Sequence, residues 1–158
     1  MIGPSALGSR ALESERLEST YRANFGALVK VAFLLTGSRA EAQDAVHEAF
    51  LRCAPKLATV DHAPSYLRAA VVNECRARYR RSKRRRPPDI RADEHLPHDL
   101  IETRDALAVL SERKRAVIVL RYFVDLPDDQ IAAELGCRPA TVRSLAHRAL
   151  KELRKELS

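Results

Sequence analysis

The stretch Asp128-Asp-Gln-Ile-Ala-Ala-Glu-Leu-Gly-Cys-Arg-Pro-Ala-Thr-Val-Arg-Ser-Leu-Ala-His147 decides most of the fold. Ile131, Leu135, Cys137, Val142 and Leu145 have the spacing of two short helices that share one apolar seam. Ala132 is small where the helices must cross, and Gly136 supplies the left-handed turn between them. Asp128 and Asp129 sit in the first turn of the leading helix, where negative charge suits the helix dipole. Pro139 starts the second helix, where a missing N–H costs nothing. A plain helical hairpin explains the apolar spacing but not Ala132 and Gly136 together. The pattern is a helix-turn-helix.

The second helix turns Arg138, Thr141, Arg143, Ser144, His147, Arg148 and Lys151 outward, with no carboxylate before Glu152. These are donors for phosphates and for base edges in a major groove. Working back from the motif, Asp125-Leu-Pro127 is a breaker. Before it lies a helix with Val117, Leu120 and Phe123, for which Ser111 is a plausible cap, and a short helix from Leu100 to Leu110.

Residues 83–99 hold Pro87, Pro88 and Pro97 and little apolar content, and read as a flexible linker. Upstream, 17–82 has helical periodicity, with Leu28, Val31, Ala32 and Leu35 at steps of three and four. Gly37 is a natural helix stop, and Ser38-Arg-Ala-Glu41 fits a capping box in which hydroxyl and carboxylate each take a free backbone N–H. In the next helix Ala42, Ala45, Val46, Ala49, Phe50 and Cys53 share a face, leaving Asp44, His47, Glu48 and Arg52 outside it. Pro55 and Asp61-His-Ala-Pro64 mark a turn before a helix over about Ser65–Ser82. Residues 1–16 show no periodicity and read as a flexible arm. The class is all-α: two small helical domains, 17–82 and 100–158, joined by the linker.

The net charge of +7 is concentrated. Eight of the eleven residues from Arg76 to Arg86 are basic and none is acidic, so this block alone exceeds the total and the other 147 residues sum to −1. Such a block points to a polyanion. A membrane surface is a poor fit, because the block lacks a bulky apolar face. The longest apolar runs, Val31–Leu35 and Ala116–Leu120, are five residues, against the roughly 20 that span a bilayer. The N-terminus lacks the basic and apolar regions of a secretory signal. Cys53, Cys75 and Cys137 are scattered and read as buried thiols of a cytosolic protein.

The two halves together resemble one family. Ala42-Gln-Asp-Ala-Val-His-Glu-Ala-Phe-Leu-Arg52 resembles the region-2 helix of bacterial sigma factors that docks on the RNA polymerase clamp. Tyr66-Leu-Arg-Ala-Ala-Val-Val-Asn73, running into the basic block, is similar to the helix that engages the minus-ten promoter element. Leu110-Ser-Glu-Arg-Lys-Arg-Ala-Val-Ile-Val-Leu-Arg-Tyr-Phe123 and Ile131–Ser144 resemble region 4, which reads the minus-thirty-five element. The order and short linker match the extracytoplasmic-function (ECF) class.

This resemblance implies a sigma factor that binds core polymerase through its clamp and flap regions, recognises promoter DNA, helps melt it and works in the cytoplasm, nucleoid-associated when bound to polymerase. It implies an anti-sigma partner and requires no cofactor or metal. By position, Asp44, His47, Glu48 and Arg52 would face polymerase. Tyr66, Asn73, Arg76, Arg80, Arg81 and Lys83 would meet the minus-ten strand, with a core position the alternative for Tyr66. Arg138, Thr141, Arg143, Ser144, His147, Arg148 and Lys151 would face the minus-thirty-five duplex. There are departures: the chain has no Trp, Gln43 replaces a common acid, Arg138 replaces the usual Ser or Thr cap, and Leu145 and Leu150 stand where relatives often carry Arg.

Two other functions compete. A stand-alone helix-turn-helix regulator shares the reading helix, but would carry a dimerisation or ligand domain over 38–81. An enzyme on nucleic acid lacks inventory: His47 and Glu48 are adjacent, the other histidines are scattered, and no carboxylates have metal-ligand spacing.

Overall fold

Helix α1 runs from Pro4 to Thr36 (Pro4–Thr36) in the computed structural model, which describes residues 4–81 and 95–158, the side chains of 4–7 and 9 excepted. The expected loose arm over 1–16 is therefore helical from Pro4 onward. Residues 10–20 are largely Ala, Leu, Glu, Arg and Ser, and proline is absent from the helix after Pro4; these residues sustain a helix without periodicity. Every residue from Arg10 to Arg16 is exposed, and core contact begins with Leu17.

Gly37 ends α1 with φ 78°, as its missing Cβ allows. Ser38 then caps α2 (Arg39–Leu57), its Oγ accepting from the Glu41 N–H at 3.3 Å. The reciprocal half of the expected capping box is replaced: the Ser38 N–H donates to Thr36 Oγ1. Pro55 lies inside α2 rather than in the turn after it. It sits in the last turn, where losing one backbone bond near the end is tolerated.

His62 takes the cap position of α3 (Ala63–Arg81): its Nδ1 lies 3.2 Å from the Ser65 N–H and 2.6 Å from Ser65 Oγ. Pro64 falls in the first helical turn. Helices α1, α2 and α3 pack together through Leu28, Ala32, Phe33, Val46, Ala49, Leu67, Val71 and Val72, all buried. The proposed linker is mostly outside the described residues, as is Lys83. Its last two positions already belong to α4 (His98–Leu107).

Ser111 stands at the cap of α5 (Glu112–Ile118), but its side chain makes no capping bond. After Ile118 the chain continues as one π turn over Val119–Phe123. The wider turn changes the register, so that Val119 and Leu120 are buried while Tyr122 and Phe123 are about half exposed. Asp125 leaves the helix at φ 58°. Helix α6 (Asp128–Leu135), Gly136 at φ 68° and α7 (Pro139–Leu157) form the helix-turn-helix, seamed by fully buried Ile131 and Val142. Leu135, Cys137 and Leu145 are half-buried along the same seam.

The two helical units dock on each other, α1 and α3 meeting α4, α5, α6 and the π turn. At their boundary lies a buried cation, Arg115. Its guanidinium donates to the backbone carbonyls of Leu35 at 2.9 Å, Leu107 at 3.1 Å and Leu110 at 2.9 Å, and stacks 4.7 Å from the Tyr79 ring centre. Leu35 lies in the last turn of α1 and Leu107 ends α4, so one cation meets the negative ends of two helix dipoles. Arg104 stacks over Phe33 and donates to the Gly37 carbonyl nearby.

Candidate nucleic-acid interface

Helix α7 builds the first candidate surface. Its apolar stripe, Val142, Ala146 and Ala149, is buried against α5 and α6 and orients the helix. Arg138, Arg143, Ser144, His147, Arg148 and Lys151 then face solvent, while Thr141 is half-buried at the edge. Arg138 holds the cap position in extended backbone (φ −88°, ψ 151°) with no side-chain cap bond. Its place at the helix N-terminus adds a side-chain cation to backbone N–H groups that suit a phosphate.

Helix α3 builds the second. Tyr66 is 37% exposed, which rules out a core position, and Asn73, Arg80 and Arg81 are exposed. Arg76 is not: its guanidinium lies 2.8 Å from Glu112 of α5, with Arg80 at 3.9 Å from the same carboxylate. About two helical turns upstream, Arg68 forms a 2.7 Å pair with Glu134 of α6, both side chains largely buried. Arg76 and Arg80, both expected at the minus-ten strand, are thus turned toward the C-terminal unit in this arrangement, as is Arg68, which was not among the expected residues. The sequence offered no sign of that, because Glu112 and Glu134 lie 36 and 66 residues from their partners.

Helix α2 builds the third. Asp44, His47, Glu48 and Arg52 are all exposed, as the stripe predicts. His47 borders an aromatic cluster, with its ring 6.4 Å edge-on from Tyr21, which itself packs at a tilt against Phe25 and Phe50. Glu48 and Arg52 reach α3. Arg52 bonds the Glu74 carboxylate at 3.0 Å, and Arg78 bridges Glu74 at 2.9 Å and Glu48 at 2.5 Å. Burial alone would raise the Glu74 carboxyl, but the hydrogen bonds and charges of Arg52 and Arg78 outweigh it and hold the group below the usual carboxylate range. Burial likewise opposes the charge of Arg78, and its bonds to Glu74 and Glu48 prevail, raising it.

The thiols are free. Cys53 and Cys75 are buried and Cys137 half-buried, with Cys75 pushed up to about 12 by burial. A thiol held protonated in this way is a poor nucleophile and metal ligand. Among the described residues no His, Cys, Asp or Glu cluster could hold a metal ion, and no helix is long and apolar enough to cross a membrane.

A cationic helix-turn-helix behind a three-helix unit with an acidic outer face matches two family descriptions in order. Sigma-70 region 2 covers residues 20–85, and sigma-70 region 4 covers residues 100–153. The chain is 31% identical over 150 residues to the RNA polymerase sigma-E factor of Streptomyces coelicolor, covering 89% of this chain and 85% of that one. It is 33% identical over 165 residues to the ECF RNA polymerase sigma factor SigL of Mycobacterium tuberculosis, covering 95% and 93%. The chain belongs to the ECF sigma factors.

The fold of this sigma factor agrees. A structure of the sigma factor RpoE with the anti-sigma factor NepR from Bartonella quintana superposes with a TM-score of 0.70 at 21% identity, covering 90% of this chain and 97% of that one. CnrH in complex with the cytosolic domain of CnrY gives 0.71 at 23% identity, with coverage of 91% and 88%. The sigma factor is an RNA polymerase-binding, promoter-specificity subunit, and sigma factors as a class initiate transcription without being enzymes. A stand-alone regulator is not favoured, because the family likeness covers both units.

Proposed function

We propose the division of labour among the three surfaces as follows. The exposed face of α2, with Asp44, His47, Glu48 and Arg52, meets the polymerase clamp. Tyr66, Asn73, Arg80 and Arg81 on α3, with Arg76 once it leaves Glu112 and with Lys83, meet the minus-ten strand. Arg138, Thr141, Arg143, Ser144, His147, Arg148 and Lys151 read the minus-thirty-five duplex. The chain has no catalytic activity of its own, works in the cytoplasm and associates with the nucleoid through polymerase. An anti-sigma partner restrains it, a reading supported by the anti-sigma complexes of RpoE and CnrH.

The observation that carries this reading is the outward face of α7. Arg138, Arg143, Arg148 and Lys151 are exposed on one helix, and none of them is paired with an acid among the described residues. Unpaired cations on a helix braced by a turn suit a groove better than they suit solvent alone.

Transcription with purified core polymerase tests it. Arg143→Ala or Arg148→Ala is expected to lower initiation at a cognate promoter roughly ten-fold, the loss of one arginine–base contact, with core binding kept. Asp44→Ala with Glu48→Ala is expected to do the reverse, weakening core binding. Loss of core binding in the α7 variants, or unchanged initiation, would contradict the assignment.

A further inference from the structure

Glu74 is a carboxylate in an unusual position: its side chain is 5% exposed, yet three arginines reach it. Oε2 accepts from Arg52 of α2 at 3.0 Å, and Oε1 accepts from Arg78 at 2.9 Å and Arg81 at 3.4 Å, both on α3. Arg78 extends its other nitrogen to Glu48, and Glu48 returns to Arg52 at 3.6 Å. Four side chains, Glu48, Arg52, Glu74 and Arg78, thus close an ionic ring between α2 and α3. The ring borders an open cleft lined by Glu41, Glu48, Arg78 and Arg81.

The two halves of the ring lie on different helices. Glu48 and Arg52 belong to the α2 face assigned to polymerase; Glu74 and Arg78 lie on α3, where Glu74 also holds Arg81, a residue assigned to the opened strand. Glu48 and Arg52 are both half exposed while Glu74 is not, so Glu48 is the acid of the ring that a basic partner surface can reach. A basic partner surface that captures Glu48 removes one of the two acceptors holding Arg78. The released guanidinium nitrogen is then available for a phosphate, and Glu74 keeps Arg78 and Arg81 anchored at their inner ends. A fixed guanidinium loses less conformational freedom on binding than a loose one.

We propose, on the division of surfaces set out above, that Glu74 is the positioning residue through which polymerase docking on α2 strengthens the grip of α3 on promoter phosphates. The coupling is reciprocal, so DNA must also tighten polymerase binding by the same factor. Phosphate contacts carry no sequence information, so a short single-stranded DNA of random sequence serves as the probe.

The experiment measures the Kd of the labelled full-length chain for core polymerase, with and without a saturating amount of that strand. In the unaltered protein the strand tightens core binding. Glu74→Gln, which keeps the shape and removes the charge, is expected to cut that enhancement about five-fold or abolish it, the low end of ordinary coupling factors. A merely structural loss weakens both Kd values together and leaves their ratio untouched. An unchanged ratio in a Glu74→Gln protein of native helicity overturns the proposal, as does a strand that fails to tighten core binding of the unaltered chain. If Glu74→Gln does not fold, Arg78→Lys keeps the charge but loses the fork that spans Glu74 and Glu48, and the same loss of ratio is expected; an unchanged ratio there is equally fatal. Failure of the unaltered chain to bind core at all would instead sink the parent reading.

Discussion

Arg115 shows how one side chain sets a boundary. The residue is 4% exposed, and its guanidinium donates to the backbone carbonyls of Leu35, Leu107, Ala108 and Leu110. The Leu107 oxygen also accepts from the Leu110 N–H, but those of Leu35 and Leu110 would be left dry and unpaired if the guanidinium were removed, at about 1–3 kcal/mol apiece. Arg115→Ala is therefore expected to lower the unfolding free energy by about 2 kcal/mol or more in urea titrations. Arg115→Lys should recover only part, because an ammonium on one stem cannot reach Leu35, Leu107 and Leu110 with the geometry of a planar fork. A loss below about 1 kcal/mol would mean that water reaches those carbonyls. Gly37 acts at the same scale: its positive φ turns the chain out of α1 where Arg115 and Arg104 close over the helix end.

Among the elements, α7 carries a conflict between stability and binding at its first residue. Serine or threonine at a helix start bonds a free N–H, and Arg138 does not. Arg138→Ser is expected to stabilise the protein by about 1 kcal/mol in thermal or urea unfolding. The same change removes one cation from the proposed phosphate contacts. The slope of log affinity against log salt for duplex DNA should become shallower by about 0.9. A stabilised variant with an unchanged slope would take Arg138 off the DNA. The π turn is a second element-scale device. By widening one turn it moves Tyr122 and Phe123 out of the core and leaves α5 short enough for Asp125-Leu-Pro127 to lead into α6.

At the scale of the whole molecule, ion pairs join the two units beside an apolar contact. Arg68–Glu134 and Arg76–Glu112 are both mostly buried, and Glu134 Oε2 has no hydrogen-bond partner. Removing one member of a buried pair leaves an uncompensated charge. Glu112→Gln combined with Glu134→Gln is thus expected to loosen the docking of the units, read as a larger radius of gyration in small-angle X-ray scattering. An unchanged radius would assign the docking to the apolar contacts and Arg115 alone. The family's proposed DNA-facing helix is partly covered in this arrangement, since Arg76 and Arg80 turn toward Glu112.

Much of this protein is local, and what is local was legible. The helix-turn-helix, Gly37, Gly136, Pro139, the stripe of α2 and the outward face of α7 follow from spacings within twenty residues and from the backbone freedom of single residues. The exposed α1 start was missed because a helix without a buried face has no periodicity to read. The half-made capping box and the uncapped Ser111 depended on where neighbouring side chains settled. The sequence alone determined an all-α chain with a cationic reading helix and a concentrated basic block, because helix period and charge sign are properties of short segments. Only the tertiary structure decided which of those cations are free. Arg76, Arg78 and Arg81 meet acids on their own or neighbouring helices, Arg115 is spent on backbone carbonyls, and Arg143 and Arg148 face solvent. The physical reason is that a salt bridge or buried hydrogen bond depends on distance in space, and residues 36, 66 and 80 positions apart become neighbours only when the helices pack.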